Sequence, residues 1–171
     1  GTGERSGLDQ PKQFEMLRGK AMVRHSVESF LSDDRIARTW IVVGENQQEL
    51  LKAAMSGVTG FDIAVGGETR QTSVFNGLQT IAEHGGCDRV LIHDAARPFL
   101  DHGTMDRLLD ALDNEAGAIP VLPVIDTIVT CSSGDLEETL NREDLRRVQT
   151  PQAFDFEKIL SAHKLYGTSQ N

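Results

Sequence analysis

Apolar positions along the 171-residue chain switch repeatedly between two spacings. Val23, Val27, Phe30 and Leu31 fall at i, i+4, i+7 and i+8, the spacing of one helical face. The run "RTWIVVG" (38–44) is compact, β-branched and closed by glycine, which predicts a buried strand. Residues 46–56 read as a helix and "FDIAVGG" (61–67) as a second strand stopped by two glycines. Val74, Leu78, Ile81 and Ala82 then restore the helical period. "DRVLIHD" (88–94) predicts a third strand, Met105, Leu108, Leu109 and Leu112 another helical stripe, and "AGAIPVLPV" (116–124) a fourth strand. Strand alternating with helix predicts an α/β domain with a mainly parallel sheet covered by helices on both faces. Ligands of such sheets gather at the carboxyl ends of the strands.

Beyond Val124 the pattern changes. Residues 126–145, "DTIVTCSSGDLEETLNREDL", read as two strands joined by a turn at Ser132-Ser133-Gly134-Asp135. They are too polar for the centre of a sheet. Spacing alone leaves two readings: an exposed hairpin, or an arm that packs on a partner.

Composition narrows the function. The chain is long enough for one domain with its own core. A formal net charge of -9 disfavours nucleic acid, whose binding rests on neutralising phosphates. No apolar run approaches the ~20 residues that span a bilayer. Cys87 and Cys131 lack CxxC spacing, so reduced thiols in a cytoplasmic protein are expected rather than a disulfide framework or a zinc cluster.

Candidate chemistry sits in four loops. "GTGERSGLDQPKQF" (1–14) has glycines that let backbone N–H groups converge on an anion, with Arg5 and Lys12 as cations suited to phosphate. It is neither a Walker loop nor a dinucleotide fingerprint. A glycine loop of this kind normally follows the first strand of such a fold, which would lie upstream of Gly1. The domain, 1–171 with the segment 126–145 included, is therefore expected to be truncated at its start and, ending on "TSQN", at its close. "GGETRQTSV" (66–74) is a turn into a helix, where Gly67 lets a ligand lie against bare backbone. Ser73 there either caps the helix or bonds a ligand, and Arg70 is a surface charge or an anion contact. In "HDAARPF" (93–99) Asp94 ends a strand, two alanines leave room and Arg97 follows; His93 is expected to be a packed, hydrogen-bonded imidazole. "NREDLRRVQTPQAF" (141–154) offers Arg142 and Thr150. The set holds donors without a nucleophile–base pair, a carboxylate dyad or a metal cluster, which favours phosphoryl or nucleotidyl transfer by positioning and charge stabilisation.

These segments, with "PVIDTI" and "VQTPQAF", occur in the same order as in the 2-C-methyl-D-erythritol 4-phosphate cytidylyltransferase family, which the chain resembles along its whole length. The resemblance implies a Rossmann-like α/β fold with a protruding β-arm that forms a homodimer. It implies transfer of CMP from CTP to methylerythritol phosphate in non-mevalonate isoprenoid synthesis, with magnesium. On matching positions, Gly1, Thr2 and Gly3 would cradle the CTP phosphates, and Arg5 and Lys12 would stabilise charge at the α-phosphorus. Gly67, Glu68 and Ser73 would read cytosine, with Asp94 near the ribose and magnesium. Arg97, Thr127 and Thr150 would bind methylerythritol phosphate, and Arg142 would position its phosphate in the partner's site. Val129 and Arg146 replace a frequent lysine and a common aromatic, which keeps ribitol 5-phosphate as an alternative acceptor. A CTP-binding domain without turnover is the alternative from another class.

Overall fold

The computed structural model describes residues 10–168. A short 3-10 turn, Lys12–Phe14, leads into a small antiparallel hairpin of β1 (Met16–Leu17) and β2 (Lys20–Ala21). Then come α1 (Met22–Leu31), β3 (Thr39–Val43), α2 (Gln48–Ala54), β4 (Phe61–Val65), α3 (Arg70–Glu83), β5 (Arg89–Ile92) and α4 (His102–Ala111). Each matches an element that the apolar spacing predicts. Side-chain caps start three of the helices: Thr69 accepts from Thr72 N–H ahead of α3, Asp101 from Thr104 N–H ahead of α4, and Asp155 from Lys158 N–H ahead of the helix that begins at Phe156. Such caps satisfy N–H groups that lack a partner in the first turn.

The second half departs from its prediction. The expected strand over 116–124 divides at Pro120 into β6 (Gly117–Ala118) and β7 (Val121–Pro123). Pro120 has no N–H to give a ladder. The pieces take different partners: β6 pairs with β11 (Gln152–Asp155), and β7 with β10 (Arg146–Val148). Between them β8 (Ile128–Ser132) and β9 (Asp135–Leu140) form the expected hairpin. Ser133 and Gly134 both have positive φ, as a two-residue hairpin loop requires. Helix α5 (Phe156–Thr168) follows β11.

The fold is α/β, yet among the described residues parallel pairing is confined to β3 with β4. β5 pairs antiparallel with β11, because the chain reverses after the arm and returns along it. β3 has β4 as its neighbour and β5 has β11, so one edge of each carries no strand among the described residues. Both edges line the same cleft.

Packing follows the periodicities. α1 buries Val23, Val27 and Phe30, and the first two join Phe14, Ile41, Val43, Leu51 and Met55 in one cluster. Leu78 of α3 meets Phe156 and Leu160 of α5, with Val90 of β5 against them. Leu108 and Leu112, at and just beyond the end of α4, pack on Ala153 with Leu91 alongside. Fully burying one such side chain contributes roughly 1.5–3 kcal/mol.

One buried charge ties α1 to α4. Asp33, just past α1, is 9% exposed and accepts from Arg35 Nε at 2.9 Å and Nη2 at 2.7 Å. Arg35 also reaches Asp106 of α4 at 2.8 Å. The Arg35 guanidinium holds the Asp33 carboxyl down at about 2. Its contribution is present above the ordinary aspartate range and is lost as pH falls towards 2. Asp33→Asn should therefore lower stability by about 1–2 kcal/mol at pH 7, and the gap from wild type should close between pH 4 and pH 2. Denaturant unfolding at each pH checks both; an equal loss at pH 7 and pH 2 would contradict it.

Candidate active site

The carboxyl ends of β4 and β5 open onto a cleft of about 2100 Å³. Ligand pockets commonly hold ~300–1,000 Å³; this one is larger because it continues between the edges of β3 and β5. Its lining includes four of the residues expected in the site, Lys12, Glu68, Ser73 and Asp94, and does not include Gly67, Arg97 or Thr150. Gly1, Thr2, Gly3 and Arg5 lie outside the described residues. Lys12 is exposed and opens the 3-10 turn immediately after Pro11, whose φ is -59°. Phe14, buried in the core, anchors that turn.

On the β4 side, capping, one of the two readings of Ser73, belongs instead to Thr69. Ser73 sits a turn further in, where its Oγ accepts from Gly67 N–H and donates to Gly67 C=O, each at 3.1 Å. It thereby fixes the Gly66-Gly67 turn to α3. Glycine is needed at 67 for packing: a Cβ there would stand 2.6 Å from Thr72 Cβ. Glu68 follows, exposed at the rim.

On the β5 side, Asp94 collects side chains from the first residue of α3 and from its own loop. Its Oδ1 accepts from Arg70 Nε and Nη2 at 3.2 and 3.1 Å, and its Oδ2 from Arg97 Nε at 3.3 Å. Arg97 also donates to the side-chain carbonyl of Gln149. Thr150 Oγ1 accepts from Asp94 N–H at 3.2 Å and lies 3.1 Å from His93 Nδ1. His93 Nε2 is 2.9 Å from the Arg97 carbonyl. Burial pushes the His93 imidazole below the usual histidine range, with the Arg97 carbonyl and Asp94 opposing that shift. His93 is thus the packed, hydrogen-bonded imidazole that its sequence position suggests.

Thr127 and Arg142 do not line this cleft. Both are exposed near the root of the β8–β9 hairpin, where Arg142 Nη1 donates to Ile125 C=O at 3.0 Å. Arg70, which the sequence leaves as a surface charge or an anion contact, is tied to Asp94. One contributor escapes the sequence reading. Ser26 of α1, 3% exposed, donates to the carbonyl of Ala95 at 3.0 Å or Arg97 at 3.3 Å. Its signal was a hydroxyl inside the apolar stripe of Val23, Val27 and Phe30. Among the described residues no group of three His, Cys, Asp or Glu side chains is placed to hold a metal.

Comparison with known proteins agrees with the α/β fold. The profile of the 2-C-methyl-D-erythritol 4-phosphate cytidylyltransferase family matches residues 1–170. The bifunctional enzyme IspD/IspF of Novosphingobium aromaticivorans is 46% identical over 97% of this chain and 42% of that protein. Its counterpart in Paramagnetospirillum magneticum is 40% identical over 95% of this chain and 42% of that protein. The chain thus spans 42% of the length of these curated relatives. The crystal structure of 2-C-methyl-D-erythritol 4-phosphate cytidylyltransferase from Thermus thermophilus is similar with a TM-score of 0.78 and 30% identity. That match covers 94% of this chain and 73% of the other.

The Gly67 packing generates a test of the turn. Gly67→Ala should destabilise the protein by roughly 1–3 kcal/mol, and Thr72→Ser, which removes the opposing methyl, should recover part of that loss. Thermal unfolding of the single and double variants measures the coupling. Strict additivity would contradict the close approach.

Proposed function

The chain belongs to the 2-C-methyl-D-erythritol 4-phosphate cytidylyltransferase family, and from that membership we propose that it transfers the CMP group of CTP to 2-C-methyl-D-erythritol 4-phosphate. A phosphate oxygen of the acceptor forms a bond to the α-phosphorus while the bond from that phosphorus to the bridging oxygen breaks, and pyrophosphate leaves. The acceptor phosphate is largely dianionic at neutral pH, its second pKa being ~6, so the attack needs no protein base. The observation that carries this reading is the grouping of Arg70, Arg97 and the Thr150 hydroxyl around Asp94 at the carboxyl end of β5, with Lys12 on the lining of the cleft that Asp94 also lines. These are charge-stabilising and positioning groups, which is what transfer at phosphorus requires.

In this reading Gly1, Thr2 and Gly3 cradle the triphosphate, and Arg5 and Lys12 bind most strongly as charge develops at the α-phosphorus. Gly67 and Glu68 face cytosine, and Ser73 acts through the turn it holds. Arg97, Thr127 and Thr150 receive the acceptor. Asp94 is a half-buried hard-oxygen donor, and magnesium is commonly held by one or two carboxylates together with substrate phosphates. That donor fits the ion, so Asp94 is the residue that would hold it. Magnesium there would neutralise phosphate charge.

We also assign the β8–β9 hairpin as a homodimer arm that carries Arg142 towards a partner's site. Leu136 at 74% exposure and Ile125 at 67% support this, since both are large apolar side chains left on the surface of the arm and its root. Helices on both faces of the sheet belong to the same reading. Val90 contacts the α3–α5 cluster while its neighbour Leu91 contacts the α4 cluster.

Lys12→Ala should lower kcat by about 10²–10³-fold while CTP affinity changes by less than about tenfold. Pyrophosphate release and CTP titration measure the two effects; an unchanged kcat removes Lys12 from the reaction. Pyrophosphate release with methylerythritol phosphate should exceed that with ribitol 5-phosphate. The reverse order assigns the other acceptor, and CTP binding without release from either overturns transfer altogether.

A further inference from the structure

Two acceptors of different kinds hold the Arg97 head group. Its Nε donates to Asp94 Oδ2 at 3.3 Å, and its Nη1 donates to the side-chain carbonyl of Gln149. Chemistry fixes which way the Gln149 amide faces. A guanidinium can only donate, so Gln149 presents Oε1 to it. The Arg147 carbonyl can only accept, so Gln149 Nε2, 3.3 Å away, donates to that. One amide supplies both groups, and each of its ends has a partner.

The backbone of Gln149 is fixed separately. Its N–H donates to Pro120 C=O at 2.9 Å, directly beyond the β7–β10 ladder in which Val148 pairs with Val121. The next residue, Thr150, accepts from Asp94 N–H at 3.2 Å. Consecutive residues of one segment therefore grip the β5 loop at two points. Thr150 holds its backbone and Gln149 holds the Arg97 side chain. The position of that grip is set by the ladder at the root of the β8–β9 hairpin, not by the loop itself.

The neutrality of Gln149 has a consequence for charge. Arg70 and Arg97 share the single carboxylate of Asp94, so these three groups leave one positive charge uncompensated. A second carboxylate at 149 could hold Nη1 as firmly as the amide does, yet it would cancel that charge. An amide oxygen orients the guanidinium by its dipole alone and leaves the charge for an anion.

Resting on the reading of Arg97 as a ligand of the acceptor phosphate, we propose that Gln149 is a positioning residue of that subsite. It is a neutral brace that fixes the Arg97 guanidinium for the phosphate without competing for its charge.

Replacements of similar length separate a neutral brace from a spacer. Gln149→Met keeps the length and loses both polar contacts. Gln149→Glu keeps the shape and the acceptor for Arg97 and adds a charge. If Gln149 serves only to keep Arg97 still, Glu is the milder change; if its neutrality matters, Glu is the harsher. With saturating CTP at neutral pH, Gln149→Met should raise the acceptor KM about threefold to tenfold. Gln149→Glu should raise it several-fold further, and the CTP KM should stay unchanged in both. An acceptor KM for Gln149→Glu at or below that of Gln149→Met would overturn the proposal, as would equal rises in the two KM values.

Arg97→Met tests the underlying reading on its own. It should raise the acceptor KM about tenfold or more. Adding Gln149→Met to it should cost nothing further, because the brace has lost what it holds; additive losses would show that Gln149 acts apart from Arg97 and overturn the proposal. An unchanged acceptor KM in Arg97→Met removes the phosphate subsite itself. A large rise there, with both Gln149 variants at the wild-type KM, keeps the subsite and discards the brace.

Discussion

The loop that follows β5 is held from beneath by part-buried hydrogen bonds and from above by exposed ion pairs, and this asymmetry is what the rest of the site depends on. Arg70 and Arg97 reach Asp94 with side-chain exposures of 56% and 42%, against 38% for the aspartate. Pairs so open to water contribute roughly 0–1 kcal/mol each. Beneath them, the buried Ser26 hydroxyl and the part-buried His93–Thr150 contact hold loop atoms, and leaving a buried polar group unpaired costs about 1–3 kcal/mol. The backbone is therefore fixed more strongly than the charges above it.

That difference would suit the proposed transfer at phosphorus. In that reading, guanidinium groups held only weakly by Asp94 would turn to a phosphate without disturbing the loop, and the carboxylate they release would be left for a cation. A fixed backbone beneath would keep the new contacts aligned, so charge stabilisation would require little rearrangement at the moment of reaction. The β4 side follows the same plan, with Ser73 closing both polar groups of Gly67 onto α3 and leaving Glu68 at the rim.

Local patterns made the framework legible. The stripe of Val23, Val27 and Phe30 gave α1, and the β-branched run ending at Gly44 gave β3. Ser133-Gly134 gave the hairpin turn. The antiparallel return of β11 onto β5 was hidden, because partner choice depends on residues some sixty positions apart in the chain. The split of 116–124 is not visible in apolar content, because Pro120 lies inside an otherwise apolar run and breaks it only through its missing N–H. In the site, Asp94 and Lys12 announced themselves by charge at a strand end and beside a proline. The role of Ser73 did not, since two nearby hydroxyls, Thr69 and Ser73, compete for one cap and only geometry assigns it. Ser26 was concealed by its helix, although a lone hydroxyl in an apolar stripe is the kind of residue that finds a buried carbonyl.

The most direct measurement is a crystal structure with CTP and magnesium bound. The account predicts the triphosphate at the mouth of the cleft between Lys12 and the carboxyl end of β5, with at least one of Arg70 and Arg97 drawn away from Asp94 and the Ser26 contact to the loop intact. A nucleotide seated elsewhere, with both guanidinium groups still on Asp94, would contradict it.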